Sequence, residues 1–248
     1  MPNMITNKIK LYGADQRKID EVIEFLRGDN GEVDFNKILP MPVELRDTVS
    51  GSVPDDAWDI YEAKVLGNTS NMEERFSWPW VVRERITTIE DLMDYIEKEQ
   101  PDVNFIEYGK QLHDLHDKYG YHDWYEWSIN NWGVKWNACE AKREENEITF
   151  YTPWDGVPNL MLEVSQKFPD IKMDYEYADE DYGANLAKYI FSAGEVVSEY
   201  VPEDYSTEAK TLAKVILGYD EPAEDEDGNE NEKCHWLCAC GIVSALVR

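Results

Sequence analysis

A tryptophan-rich run, YGYHDWYEWSINNWGVKWNA from Tyr119 to Ala138, decides the fold of this chain. Asp123 can cap the start of a helix, and Glu126 three residues later completes a capping-box pair. Gly133 can take the left-handed backbone conformation that ends such a helix. We therefore predict a short helix over residues 123–132, followed by an extended segment at 134–137 where apolar and polar residues alternate.

The helix would place large aromatic side chains on one face. At 100° per residue that face carries Trp124, Trp127, Ser128 and Asn131, with Trp132 at its edge. One interpretation is a core cluster, and the other is a pocket or platform that stacks a flat ligand. The pocket would be formed by six side chains: Trp124, Trp127, Asn131, Trp132, Trp136 and Trp154. We favour core packing, because the acidic chain would repel a phosphate-bearing ligand.

The same run resembles the signature of an uncharacterised, phage- and plasmid-borne family with a ferredoxin-like domain, the YubB-like group. That signature is a Trp, a Trp-Cys pair and then Asn-Trp-Gly-Thr-Lys-Trp-Asn. Further similar segments occur in the same order: Asp34-Phe35…Leu39-Pro40, Phe150–Trp154 and Tyr177–Asp181…Gly183. Ser128 replaces the family's Cys and Val134 its Thr. The resemblance implies a ferredoxin-like fold and a mobile-element origin, and it implies no established activity.

Hydrophobic periodicity predicts an α+β protein. A strand at 4–12 precedes a helix capped by Asp15, and the region 147–201 has the order strand, helix, strand, strand, strand. We expect a ferredoxin-like antiparallel or mixed sheet backed by helices, with a helical insertion, at about 46–133, before the tryptophan-rich motif. Because of its two prolines, segment 34–42 is predicted to be extended.

The domain prediction follows from these elements. Residues 1–218 would form one α+β domain, 219–232 an acidic mobile segment, and 233–248 an apolar C-terminal tail. No stretch approaches the ~20 apolar residues of a membrane span. The four cysteines do not have the spacing of a disulfide framework. The expected location is cytoplasmic.

Charge limits the partners. The chain has 52 acidic and 24 basic residues, a net charge of −28, and residues 155–232 alone hold 21 acidic and 5 basic side chains. This field disfavours direct binding to nucleic acid or to an anionic membrane, and it favours a basic protein partner. The candidate acidic face consists of Asp179, Glu180, Asp181, Asp225, Glu226 and Asp227.

No motif predicts catalysis, a cofactor or a metal. His113 and His116 have a spacing that can present two imidazoles, but alternating aspartates are equally typical of a solvated helix face. The cysteines at 234, 238 and 240 form one cluster without the second pair typical of zinc sites. Calcium-loop, phosphate-loop and nucleophile-elbow patterns are missing. We therefore predict no catalytic, cofactor or metal-binding residues.

Three functions remain open. The leading hypothesis is a noncatalytic, acidic interaction protein of a mobile element that acts on a basic host protein, with nucleic-acid mimicry as one form. The alternative is a small-ligand-binding protein or enzyme with the aromatic pocket, where His122, Asn131 and Asp181 would supply polar groups. The third is an accessory protein whose acidity serves solubility. The sequence leaves the oligomeric state open.

Overall fold

The computed structural model describes residues 2–29 and 31–219. The strands are β1 Met4–Tyr12, β2 Cys139–Glu144, β3 Glu147–Pro153, β4 Lys172–Asp179, β5 Leu186–Ser192 and β6 Glu195–Tyr200. The helices are α1 Gln16–Leu26, α2 Phe35–Ile38, α3 Val43–Arg46, α4 Ser52–Tyr61, α5 Ser70–Glu74, α6 Pro79–Arg83, α7 Ile89–Glu99, α8 Phe105–Tyr119, α9 Trp124–Trp132, α10 Pro158–Lys167 and α11 Thr207–Leu217. A π-helical turn, Glu62–Leu66, continues α4.

The strands form one antiparallel sheet in the order β2-β3-β1-β4-β5-β6. Strand β1 lies between β3 and β4, and its Ile5 is opposite both Thr152 and Asp179. The first four strands have the order and direction of a ferredoxin-like fold; α10 connects β3 to β4, and the connection from β1 to β2 contains α1 and the helices up to α9. Strands β5 and β6 extend this arrangement at the β4 side. The prediction of an α+β fold with a ferredoxin-like sheet is confirmed.

The chain separates into two compact units. Within the described residues, the sheet unit comprises 2–29, 31–40 and 129–219, and the helical unit comprises 41–128. In the helical unit, Gly109 of α8 lets that helix approach α4, because a Cβ at this position would collide with the carbonyl of Ala57. The single domain predicted for 1–218 stays a prediction.

Alternation along β1 builds the sheet unit's core. Ile5, Ile9 and Leu11 are buried, and Asn7 between them is also buried. The Tyr175 hydroxyl donates to Asn7 Oδ1 at 2.6 Å and accepts from the backbone N–H of Val157 at 2.6 Å. Because the polar groups satisfy one another, the turn before α10 is held against the sheet without leaving an unpaired buried group.

The tryptophan run contains the predicted helix. In α9, Asp123 Oδ1 accepts from the N–H of Glu126 at 2.7 Å, and Glu126 Oε2 accepts from the N–H of His122 at 3.2 Å. Gly133 has a φ of 82°, the left-handed conformation expected after the helix.

Two local predictions are wrong. Segment 34–42 contains the short helix α2, because the Asp34 carboxylate caps it by accepting from the N–H of Asn36 at 2.9 Å. Residues 134–137 form no strand, and β2 begins only at Cys139. The Asn137 side chain instead accepts from the N–H of Phe35 at 2.8 Å and donates to Asp34 at 2.7 Å. Such side-chain bonds compete with a strand ladder.

Part of the domain prediction cannot be compared with the fold. The apolar tail at 233–248, and the acidic segment from residue 220 onward, lie outside the described residues. Along residues 2–29 and 31–219, no helix combines the length and apolar content that crossing a bilayer demands.

Candidate interaction surface

The six side chains predicted to form an aromatic pocket are divided between the two units. Trp124 and Trp127 belong to the helical unit, whereas Asn131, Trp132, Trp136 and Trp154 belong to the sheet unit. Trp127 and Trp132 are each only 5% exposed. Trp132 donates its indole N–H to the carbonyl of Leu39 at 2.9 Å and packs edge-on against Phe35. Trp132 is therefore part of the hydrophobic core.

Trp136 and Trp154 flank a lysine. The Lys135 ammonium lies 4.9 Å from the ring centroid of Trp136 and 5.9 Å from that of Trp154. Both distances fall within the range of cation–π attraction. Trp154 is 48% exposed, so its indole belongs to the surface.

The backbone of Trp154 is held in an unusual conformation. Its φ is 68°, in the left-handed region that residues with a side chain rarely adopt. Its N–H donates to the carbonyl of Asn3 at 2.9 Å, and its own carbonyl accepts from Asn185 Nδ2 at 2.9 Å. The free-energy cost of this backbone conformation offsets part of the stabilisation that the two hydrogen bonds provide. The fold thus fixes an exposed indole where β1 begins and β3 ends.

The carboxylates at 179–181 accept hydrogen bonds from other groups of the sheet unit. Asp179 is buried and accepts from Asn3 Nδ2 at 3.1 Å and from the N–H of Asp181 at 2.9 Å. Burial raises the pKa of the Asp179 carboxyl, and these hydrogen bonds partly oppose the rise. Glu180 accepts from the N–H of Met4. Asp181 accepts from the Tyr205 hydroxyl at 2.7 Å. The other members of the candidate acidic face, Asp225, Glu226 and Asp227, lie outside the described residues.

Strand β6 is an open edge of the sheet. All six of its residues are exposed, and among the described residues only β5 pairs with it. Val196 is 46% exposed, Val197 62% and Tyr200 46%. An edge with free backbone groups and exposed apolar side chains is a template for pairing with another strand.

Hydrogen bonds connect the chain just beyond β6 to the backbone of Trp154. Val201 and Tyr205, just beyond β6, are exposed. The N–H of Asn185 donates to Asp204 at 3.0 Å, while the side chain of the same residue holds the Trp154 carbonyl. We call this region the β6 surface and define it by Trp154, Val196, Val197, Tyr200, Val201 and Tyr205, with the carboxylates of Glu195, Glu199, Glu203 and Asp204.

Sequence patterns predict strand β6 but not its exposure. Two adjacent valines, Val196 and Val197, are equally typical of a buried strand. Their exposure depends on which strands pair with β5, and that pairing is long-range. The two glutamates within the strand, Glu195 and Glu199, are the local signal for an edge.

The sheet unit also has a concave feature. It is a cavity of about 200 Å³ at the C-terminal end of α11. Its walls include Met4, Lys8, Cys139, Tyr151, Glu180 and Tyr219. Next to Cys139 the strand β2 bulges, and Glu140 there has a φ of 50°. Burial raises the pKa of the Tyr151 hydroxyl.

Three histidines of the helical unit surround one tryptophan. His113 stacks on Trp58 with ring centroids 3.7 Å apart, and His116 and His122 lie 5.4 and 5.2 Å from the same indole. Within residues 2–29 and 31–219, no three His, Cys, Asp or Glu side chains converge in a way that could hold a metal. The cysteines at 234, 238 and 240 are outside that part of the chain.

These features define the class: an α+β protein whose antiparallel sheet has a ferredoxin-like core, an inserted helical unit and an open acidic edge. Residues 131–227, less than half of the chain, match the family model described as "Ferredoxin-like domain in Api92-like protein". The crystal structure of the protein api92 from Yersinia pseudotuberculosis is similar, with a TM-score of 0.39 and 10% identity. That match covers 83% of this chain and 100% of that chain. No curated protein matches.

Proposed function

We propose that this protein is a noncatalytic interaction protein that binds a basic protein partner through the β6 surface. The observation that carries the proposal is the outer edge of β6, where all six residues are exposed and no described strand pairs. An extended segment of a partner can add to such an edge by backbone hydrogen bonds, while alternate side chains supply specificity.

Charge supports a basic partner. Residues 155–219 hold 13 acidic and 5 basic side chains. Glu199, near the end of β6, accepts from the Tyr189 hydroxyl, and burial together with this bond raises the pKa of Tyr189 to about 12. Lys or Arg residues in an added strand would lie close to Glu195 and Glu199, so the favourable pairs also set register.

The exposed apolar side chains support a protein as the bound partner, rather than small counterions that charge alone would attract. Tyr and Trp are enriched among residues that dominate binding energy, and Trp154, Tyr200 and Tyr205 are all exposed on the β6 surface. The backbone hydrogen bonds of Trp154 to Asn3 and Asn185 fix the position from which its exposed indole projects.

A designed peptide tests the proposal. Its probe is a fluorescent octapeptide of alternating Lys and Val, and its matched control replaces every Lys by Glu. Fluorescence anisotropy should show saturable binding of the Lys peptide that weakens as salt is added, and no binding of the Glu peptide.

Matched variants locate the binding. Val197→Lys should weaken the Lys peptide about tenfold or more, because it adds a repulsive charge to the edge. Val215→Lys on α11 is the control, since Val215 is 61% exposed and Val197 62%. Equal effects of the two variants, or equal binding of the two peptides, would refute the β6 surface as the site.

The biological setting is part of the same proposal. The resemblance of the tryptophan run to the YubB-like group supports a phage or plasmid origin and a cytoplasmic host partner. Mimicry of nucleic acid is the less favoured form. A net charge of −28 over roughly 11,000 Å² of surface is about a quarter of the density of duplex DNA. On the β6 surface the carboxylates are also interspersed with valines.

The second candidate function is binding of a small ligand in the cavity beside α11. The supporting observation is the cavity itself, which combines the apolar Met4 and Tyr219 with the polar ends of Lys8 and Glu180. Its volume of about 200 Å³ suits only a fragment-sized molecule. A fragment screen by NMR should then shift the Met4 methyl signal in the wild type, and Cys139→Trp, which fills the cavity, should abolish the shift.

A further inference from the structure

The helical unit has a cavity of its own. It measures about 270 Å³, and every residue that lines it belongs to residues 41–128. Its walls include two indoles, three carboxylates and an imidazole: Asp55, Trp58, Asp59, Glu74, Trp78 and His122. Flat apolar walls with a surplus of negative charge are the surroundings that favour an organic cation.

The cation already present is fully engaged. Arg75, which is 3% exposed, pairs its guanidinium with both Asp56 and Asp59. Its guanidinium carbon also lies 4.9 Å from the ring centroid of Trp78. Two carboxylates therefore flank one guanidinium, so the carboxylates at this cavity outnumber its guanidinium.

Asp55 and Glu74 remain without an ion pair in the described chain. Partial removal from water raises the pKa of the Asp55 carboxyl; the nearby His122 and Arg75 oppose the rise, and Asp123 and Asp59 add to it. Its neighbour His122 is held by another acid, since His122 Nδ1 lies 2.9 Å from Glu126. A cation entering the cavity would stabilise the charged form of Asp55.

The indoles are held in place before any ligand arrives. Trp58 is stacked on His113 at 3.7 Å with an interplanar angle of 10°. Trp78 is 42% exposed and packs edge-on against Trp80. Preorganised aromatic walls bind a flat cation without the cost of ordering flexible side chains.

We propose that this cavity binds a small planar organic cation, with its guanidinium or amidinium group against Asp55 and its flat body against Trp58 and Trp78. The site lies in the helical unit and is independent of the β6 surface.

Benzamidine and benzamide provide a matched pair of probes, because they share a shape and differ in charge. Isothermal titration calorimetry on the full chain, with tryptophan fluorescence in parallel, should show saturable binding of benzamidine. Benzamide should bind at least about tenfold more weakly, since it lacks the charge that Asp55 would meet.

Two substitutions locate the site. Asp55→Asn should weaken benzamidine about tenfold, whereas Asp102→Asn, at another exposed aspartate of the helical unit, should leave it within about twofold. Circular dichroism checks that each variant folds. Glu74→Gln, with weakening in the same direction expected, replaces Asp55→Asn if that variant does not fold.

Three results would overturn the proposal. One is no saturable binding of benzamidine by the wild type, and another is equal affinity for benzamidine and benzamide. The third is an Asp102→Asn effect as large as that of Asp55→Asn, which would mean that benzamidine responds only to the overall charge.

Discussion

At the scale of single residues, burial and the neighbouring carboxylates have opposite effects on the protonation of His113. Its ring stacks on Trp58 and lies 4.9 Å from Tyr61, so protonation would place a charge in a partly dry aromatic stack. Burial lowers the pKa of His113, with a smaller contribution from His116, although Glu62, Asp117 and Asp114 oppose the change. The imidazole is therefore held neutral near physiological pH.

A pH dependence of stability follows for His113. The unfolded chain takes up this proton near pH 6.5, whereas the folded protein takes it up only at a lower pH. The free energy of unfolding should thus fall as the pH drops from about 7.5 to about 5.5. Urea unfolding of wild type and His113→Gln should show a shallower fall in the variant.

The control for this measurement is His116→Gln, which should keep most of the wild-type slope. Asp55, Asp155 and Asp179 act in the opposite sense, because their raised pKa values make the folded state bind more protons. These carboxyls are the same in the wild type and in both variants, so their contribution cancels when the slopes are compared. Identical slopes for wild type and His113→Gln would contradict the role given to His113.

For single residues, local helix capping was predictable from the sequence, whereas hydrogen bonds between residues far apart in the chain were not. Asp15 and Asp123 accept hydrogen bonds from their own helices, as their sequence neighbours predict. Asn137 instead binds Asp34 and the N–H of Phe35, about a hundred positions earlier, and no local pattern contains that information. The cavity around Trp58 could not be predicted for the same reason, because the residues that line it come from separate helices.

At the scale of elements, the β5–β6 hairpin depends on its two-residue turn. Ala193 has a φ of 52° and Gly194 one of 78°, and both are left-handed, as a type I′ turn requires. A Cβ on Gly194 would also lie 2.5 Å from Gln166 Cγ, on α10. The turn sets the pairing of Ser192 with Glu195 and so positions the whole β6 surface.

Gly194→Ala should destabilise the protein by more than the about 1–2 kcal/mol that a left-handed alanine costs, because it also crowds Gln166. Gly120→Ala is the matched control, since Gly120 has the same φ of 78° with open space around it. Guanidinium unfolding of both variants separates the two costs. Equal losses would show that the contact with Gln166 adds nothing.

The elements themselves were largely predictable, and their arrangement was predictable only through the family signature. Alternation over 148–152 and 171–177 predicts strands that the structure contains as β3 and β4. Their neighbour β1 lies far away in sequence, so periodicity does not give the strand order, and the resemblance implied only a ferredoxin-like sheet. The open position of β6 follows from that order.

At the scale of the whole molecule, the net negative charge opposes pairing between the open β6 edges of two copies. A charge of −28 at neutral pH makes copies of the chain repel one another, and this repulsion disappears near the isoelectric point of about 4.3. Edge-to-edge pairing of β6 then becomes favourable.

We therefore expect self-association as the pH approaches 4.3 and dispersal at neutral pH, measured by light scattering. Val197→Lys should reduce the association rate well below that of Val215→Lys, although both variants change the net charge equally. Similar rates in the two variants would assign the association to general loss of charge rather than to the edge.

The central position of β1 has a consequence for synthesis. This strand is made before its partners, which are residues 147–153 and 172–179. At typical translation rates, β1 waits about 10–30 s for them to be made. The helical unit, continuous from 41 to 128, can fold on the ribosome during that interval. Its early folding would shorten the effective loop that the nascent strand has to close, which lowers the entropic cost of pairing β1 with its partners.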